Sequence, residues 1–208
     1  QVASKEFNID LSKAKYFAGH SLGEYSALSS AGYLDFSKTI KLLRIRGDAM
    51  QNAIPKGEGG MVAVLGSTVE DIEKILLENQ KKFIAEIAND NSVGQIVLSG
   101  KNIDLDKLIE ILKSKKIKNI KLPVSAPFHC KLMNKATAIM KKEIENVEFQ
   151  NANKILISNV TANEISSKED LKKLLIDQIE NRVRWRESVL NMINKGVKHF
   201  IEIGPGKV

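Results

Sequence analysis

Phe17-Ala18-Gly19-His20-Ser21-Leu22-Gly23-Glu24-Tyr25-Ser26 is the stretch on which the reading of the chain turns. It holds Gly19-His20-Ser21-Leu22-Gly23, the G-x-S-x-G spacing that places a serine on a sharp strand-to-helix turn. Small residues two positions either side of Ser21 let the backbone turn tightly. Tyr16-Phe17-Ala18 before it is a short apolar run of strand type, and Glu24 to Leu28 starts a helical pattern. A serine so placed projects its hydroxyl into a cleft. The amide of Leu22, at a helix N-terminus, points at an oxyanion formed on a carbonyl that Ser21 attacks. The spacing alone is weak, since chance produces it in on the order of one chain in fifteen of this length. Its alternative is a Gly-rich turn with an ordinary serine.

Outward from that stretch the chain alternates helices with short apolar strands. The pattern predicts a strand over 13–18, the elbow helix over 21–32 and a helix over 36–54 that carries Arg44 and Arg46. Pro55-Lys56-Gly57-Glu58-Gly59-Gly60 is the strongest break and marks a boundary. From Met61 the order is strand (61–65), helix (67–79), strand (83–88), strand (95–99), helix (104–114) and strand (117–122). That βαββαβ order is the order of a small ferredoxin-like unit. Pro123 and Pro127 lead back out to a helix at 132–147, a strand at 155–159, helices at 168–183 and 189–195, and an apolar strand at 197–203. The fold class expected is therefore α/β, with a parallel-sheet, hydrolase-like core over 1–58 and 123–208 interrupted by a ferredoxin-like subdomain over 59–122. Residues 1–8 read as the end of a helix already under way, the expectation for a fragment.

Composition narrows the class. The chain has 208 residues, 43% hydrophobic and 27% charged, ordinary for a soluble globular protein. No apolar run approaches the ~20 residues of a membrane span, and the N-terminus lacks the build of a signal peptide. Cys130 is the single cysteine, so intrachain disulfides and Cys-based metal sites are excluded and a reducing interior is the natural compartment. The formal net charge of +7 comes mostly from lysines along helices. They read as solvated faces or as the footprint of an acidic macromolecule. With 5% aromatics and no recognised motif, nucleic acid is a poor partner.

A nucleophilic serine needs a base, and the chain has three histidines. His20 adjoins Ser21, and successive residues on a turn point different ways. His199 sits inside the apolar VKHFIEI run and reads as a packed strand residue. His129 follows a proline-rigid loop where the small unit rejoins the large one, and is the best base by elimination and placement. Its alternative is a surface-loop histidine.

The motifs then assemble. GHSLGEYSAL, IRGDAMQ, GGMVAVLG, NDNSVGQIVLSG, LPVSAPFHCKLM and HFIEIGPGKV follow one another over essentially the whole chain. In order and spacing they resemble the malonyl-CoA:acyl carrier protein transacylases. The resemblance implies Ser21 as the nucleophile that carries the malonyl ester, and His129 as its base and as acid toward the departing thiol. It implies a histidine oriented by a backbone carbonyl, at Gln178, rather than by a carboxylate, since a neutral carbonyl also fixes a tautomer. Leu22 matches the backbone oxyanion donor. In that family the second donor belongs to an N-terminal Gly-Gln-rich segment placed well before the position of Gln1, so the resemblance leads to the expectation that this chain is the central and C-terminal part of such a protein.

Arg46 matches the arginine that grips the free carboxylate of malonate, for which a planar two-pronged donor suits better than a lysine. Asn89 and Asn91, with Gln95, match a turn lining the cleft, and Phe128 the bulky residue of malonyl-selective members. The resemblance further implies no permanently bound cofactor, with the CoA thioester as substrate, and no metal. It implies an acidic acyl carrier protein as partner, met through Lys115, Lys116, Lys118 and Lys121, and residence in a bacterial cytoplasm or an organelle of bacterial origin. The rival readings are a polyketide-synthase acyltransferase domain using another extender unit, a generic α/β-hydrolase esterase, and an inactive carrier-binding fragment.

Overall fold

The computed structural model describes residues 5, 6, 8–165 and 167–204. The expected helix end over 1–8 lies largely outside the described residues, as does the terminal Gly-Pro-Gly turn beyond Gly204.

The elbow is built by two short elements. A single 3-10 turn, Leu11–Lys13, is capped by Asp10, whose carboxylate accepts from the Ser12 N–H at 2.9 Å. Strand β1 follows and covers only Tyr16–Phe17, shorter than the run over 13–18 predicts because the capped turn takes its first residues. Helix α1, Leu22–Ser30, starts directly after Ser21. Helix α2, Phe36–Gln51, is capped by Asp35, which accepts from the Lys38 N–H at 3.1 Å. Its inward face carries Leu42, Arg46, Ala49 and Met50.

Between the break at Pro55 and Pro123 lies a four-stranded sheet of β2 (Gly59–Leu65), β3 (Ala85–Ser92), β4 (Gln95–Lys101) and β5 (Lys118–Lys121) in the order β3-β4-β2-β5. Every neighbouring pair is antiparallel. Helices α3 (Val69–Glu78) and α4 (Asn102–Ser114) complete the unit. Helix α3 has a reciprocal capping box between Thr68 and Asp71, a device worth about 1 kcal/mol. Val62, Val64, Ile72, Ile96, Leu98, Leu105, Leu108 and Leu112 are buried together there, separate from the cluster under α1 and α2. Strand β3 extends beyond the 83–88 run to Ser92, with register shifts after Ile87 and after Asp90. Asn89 and Asp90 stay paired with Val97 and Ile96 of β4, while the free edge of β3 at this point meets Val183 of the large body, which accepts from the Asp90 N–H at 2.9 Å.

The larger body contains α5 (Asn134–Asn146), β6 (Ile155–Ile157), β7 (Glu164–Ile165), α6 (Lys168–Asp177) and α7 (Trp185–Asn194). Strand β6 pairs parallel with β1, which holds the elbow beside residue 159, and antiparallel with β7, a two-residue strand too short to leave a periodic signal. Helix α6 stops at Asp177 instead of running to Val183, because the next residues turn and Val183 bridges to Asn89 of the small unit. Helix α7 begins at Trp185, ahead of the apolar run from Val189.

The expected strand over 197–203 is not formed. That segment pairs with no strand among the described residues, and Phe200, Ile201 and Ile203 are 51%, 66% and 62% exposed. An apolar run becomes a strand only where another backbone edge completes its hydrogen bonds. His199, read as a packed strand residue, is exposed there.

Candidate active site

The nucleophile-type turn forms as the spacing predicts. Ser21 has φ 52° and ψ −103°, a backbone conformation costing of order 1–3 kcal/mol that persists only where its surroundings impose it. Two interactions impose it here. The Asn159 side chain accepts from the Ser21 N–H at 2.7 Å and donates to the Gly19 carbonyl at 2.8 Å, stapling the turn from across the β1–β6 pair. Gly19 packs so closely on the next turn that a Cβ on it would lie 2.0 Å from the Gly23 carbonyl carbon and oxygen. Gly23 itself has open space around its missing side chain, so of the two glycines only Gly19 is sterically required.

His129 also sits at positive φ, 58°, where the loop from the small unit turns back into the large body. Its ring is buried, with Nε2 2.8 Å from Ser21 Oγ and Nδ1 2.8 Å from the Gln178 backbone carbonyl. A carbonyl only accepts, so Nδ1 carries the proton and Nε2 is left with its lone pair toward the serine hydroxyl. Burial first, and the positive charge of Arg46 second, pull the imidazole pKa down to about 3. The ring is therefore neutral and basic at Nε2 throughout the physiological range. His20, by contrast, turns away from Ser21 onto Asn91, with Nε2 2.8 Å from Asn91 Oδ1 and its ring edge-on to Trp185.

Arg46 projects from α2 into the same place. Its Nη2 donates to Ser21 Oγ at 2.8 Å and to Gln178 Oε1 at 2.9 Å, and its guanidinium lies 5.6 Å from the Tyr25 ring centroid. Its Nε is buried without a hydrogen-bond partner among the described residues. A guanidinium 6% exposed, with an unused donor beside a serine hydroxyl, is an anion-seeking group in a water-poor site.

Behind these groups lies a layer the sequence does not single out. Glu24, which on an elbow helix reads as an ordinary first-turn acid, is 4% exposed. Its Oε1 accepts from the Asn159 N–H at 3.3 Å and its Oε2 from Gln178 Nε2 at 2.5 Å. Gln178 Nε2 donates in addition to the Ser21 carbonyl at 2.9 Å. Gln178 was singled out for its carbonyl, and its side chain proves to be equally engaged. Asn159 has no signal in the sequence beyond its place after a short strand.

The remaining expected residues fall into two groups. Leu22 opens α1, its side chain 54% exposed, and its N–H has no acceptor among the described residues, whereas the Gly23 and Glu24 amides are taken by the His20 and Ser21 carbonyls. Phe128 is half-buried where the clusters of the two bodies meet, and its carbonyl accepts from Ser99 Oγ at 2.6 Å. Asn91 reaches the elbow through His20, while Asn89 is buried in the bridge to Val183. Between them Asp90, fully buried, pairs with Arg186 of α7 at 2.8 Å and joins the small unit to the large one beside the site. Lys115, Lys116, Lys118 and Lys121 are exposed at the end of α4 and on edge strand β5, and Lys121 is paired with Asp106 at 3.0 Å. Among the described residues no cluster of His, Cys, Asp and Glu suits a metal, and no helix is long and apolar enough to cross a membrane.

A serine on a strand-to-helix elbow, bonded to a carbonyl-oriented histidine at the seam of an α/β body, defines the serine acyl-transfer class of site. The chain belongs to the acyl transferase domain family, whose model matches residues 12–207. Among curated relatives it is 41% identical over 195 residues to the malonyl CoA-acyl carrier protein transacylase of Bacillus subtilis (strain 168), covering 93% of this chain and 62% of the relative. To the protein of the same name from Escherichia coli (strain K12) it is 36% identical over 192 residues, covering 92% and 62%.

Among solved structures, the malonyl CoA-acyl carrier protein transacylase of Clostridium perfringens superposes with TM-score 0.92 at 39% identity, over 99% of this chain and 64% of that one. A malonyl-transacylase solved with the acyl carrier protein of a type II polyketide synthase superposes with TM-score 0.92 at 35% identity, over 98% and 66%. The chain thus spans a little under two thirds of the length of these relatives.

Proposed function

We propose that this chain is the nucleophile-bearing part of a malonyl-CoA:acyl carrier protein transacylase, which moves a malonyl group through a seryl ester. The reading rests above all on one observation, the continuous hydrogen-bonded line from Ser21 Oγ through the His129 ring to the Gln178 carbonyl, with Arg46 Nη2 on the same hydroxyl. In the first half-reaction Ser21 Oγ attacks the thioester carbonyl of malonyl-CoA while His129 Nε2 takes the hydroxyl proton. The Leu22 N–H stabilises the oxyanion. Collapse breaks the carbon–sulfur bond, and the imidazolium returns its proton to the departing CoA thiolate. The second half runs the same steps backward, with the carrier's phosphopantetheine thiol attacking the ester and Ser21 regaining its proton.

Arg46 binds the free malonyl carboxylate, exchanging its bond to the serine hydroxyl for a charge-assisted pair and giving its orphaned Nε an acceptor. An acetyl group offers no such partner, and leaving a buried guanidinium unpaired is the source of discrimination. Asn89, Asn91 and Phe128 form the wall on the small-unit side, with Phe128 crowding an α-methyl substituent. The exposed Lys115, Lys116 and Lys118, with Lys121, supply a basic edge for an acidic carrier. No step calls for a resident cofactor. The division into a core over 1–58 and 123–208 and an inset over 59–122 belongs to this reading, and the two separate buried clusters support it.

Incubation with malonyl-CoA followed by intact-mass and peptide analysis tests the proposal. The expected result is a malonyl adduct on Ser21 that is absent from Ser21→Ala and lost on addition of carrier thiol. Arg46→Ala is expected to cut malonyl loading by about two orders of magnitude and to narrow its lead over acetyl-CoA. Label persisting in Ser21→Ala, or equal loading of both thioesters by the parent protein, would refute it.

A further inference from the structure

The buried polar groups beneath the serine include one ionisable side chain that the proposed chemistry leaves idle. Glu24 is separated from solvent, and both of its oxygens accept hydrogen bonds, from the Asn159 N–H and from Gln178 Nε2. The Gln178 amide is fully used: its two N–H bonds go to Glu24 and the Ser21 carbonyl, and its oxygen faces Arg46 Nη2. Turned over, that amide would set its NH2 group against a guanidinium and its oxygen against a carboxylate and a carbonyl. Only one orientation is tolerable, and an acceptor at Glu24 selects it.

We propose that Glu24 is a positioning residue for the serine–histidine pair, acting through the Gln178 side chain to hold the His129-binding carbonyl and the Arg46 guanidinium in register with Ser21. The inference rests on the reading of Ser21 and His129 as nucleophile and base. Its working form is the carboxylate, since a proton on either oxygen would confront an N–H that now donates to it and release one arm of the network. The ionisable groups facing Glu24 are Arg46 from α2, whose charge favours the carboxylate, and Tyr25, its own neighbour on α1. Burial outweighs these and the hydrogen bonds, and pushes the Glu24 pKa up to about 7. Ionisation of this group therefore falls near neutral pH. His129, held far below, does not titrate in that range.

The test is the pH dependence of Ser21 labelling by a fluorophosphonate, a probe that needs no thioester. Ser21 Oγ attacks phosphorus, fluoride leaves, and the hydroxyl proton passes through His129 Nε2 to solvent. In the parent chain the second-order labelling rate is expected to rise through one ionisation near pH 7. In Glu24→Gln that limb disappears and the plateau rate falls by about tenfold or more. Glu24→Asp, which keeps the charge at shorter reach, retains the limb at a reduced rate. A parent profile without an ionisation near pH 7 overturns the inference whether or not the variants fold. So does a limb that persists in Glu24→Gln. A parent chain that does not label at Ser21 at any pH refutes the serine–histidine reading itself, and the inference with it, so the two failures are told apart.

Discussion

The backbone carbonyl of Gln178 lies 2.8 Å from His129 Nδ1, and this contact decides which ring nitrogen faces the serine. The protein uses an uncharged acceptor where many serine enzymes use a carboxylate. The consequence is electrostatic as well as geometric. With no anion on the imidazole and a guanidinium close by, only hydrogen bonds to backbone oppose burial; they do not offset it, and the ring is held neutral.

That neutrality makes a prediction about acid stability. The folded-state pKa of His129 is about 3 against an ordinary 6.5, so below 6.5 the unfolded chain binds a proton that the folded chain refuses. Stability contributed at higher pH is then lost as pH falls from 6.5 toward 3. Glu24 works in the opposite sense, since its raised pKa makes the fold lose stability as pH rises from 4.5 through 7. Urea denaturation of the parent and of His129→Gln isolates the histidine. Between about pH 6.5 and pH 5 the parent is expected to lose about 1.5 kcal/mol more than the variant. Parallel pH profiles for the two proteins would contradict the buried neutral ring.

The two glycines of the elbow are expected to behave differently. Gly19→Ala places a Cβ 2.0 Å from the backbone of Gly23 and 2.6 Å from the Glu24 nitrogen, where no side chain can yield. The expected cost exceeds about 3 kcal/mol or prevents folding. Gly23→Ala meets nothing within 4 Å and sits in the first turn of α1, so it is expected to be neutral or to gain up to about 1 kcal/mol from helix propensity. Urea midpoints of the two variants read this directly, and equal losses would show that the turn is not packed as described.

Asp90 and Arg186 join the two bodies next to the site. Asp90 is 0% exposed and receives Arg186 Nε at 2.9 and 3.0 Å on its two oxygens. Arg186→Met leaves that carboxylate buried without its cation and is expected to cost about 3 kcal/mol. Adding Asp90→Asn removes the stranded charge and is expected to recover a good part of the loss. A double-mutant cycle with both single variants measures the coupling. Coupling below about 0.5 kcal/mol would mean the contact contributes nothing to the union of the two bodies.

Much of this was legible along the chain because it is written in local chemistry. Ser21 shows through a spacing that suits a strand-to-helix turn, weak by itself but flanked by a strand-type run and a helical pattern. The βαββαβ order of the inset shows because strand and helix differ in the period at which apolar residues recur, and His129 could be singled out by elimination among three histidines. The failures share a cause. The run at 197–203 has the composition of a strand, but a strand exists only where a second backbone edge supplies partners, and composition does not report that edge. Helix α6 ends early because Val183 is claimed by Asn89, a residue of the other body.

The layer under the serine marks the same division. Residue type and spacing bring out a serine at the turn and a histidine available to it, whereas the arginine comes only with the resemblance. That Glu24 is buried rather than solvated, that Asn159 staples the elbow from 138 positions away, and that Gln178 engages with its amide as well as its carbonyl were decided by packing. A hydrogen bond between distant residues depends on where two backbones are brought together and on which groups lose water there. Neither is a property of any single stretch of chain.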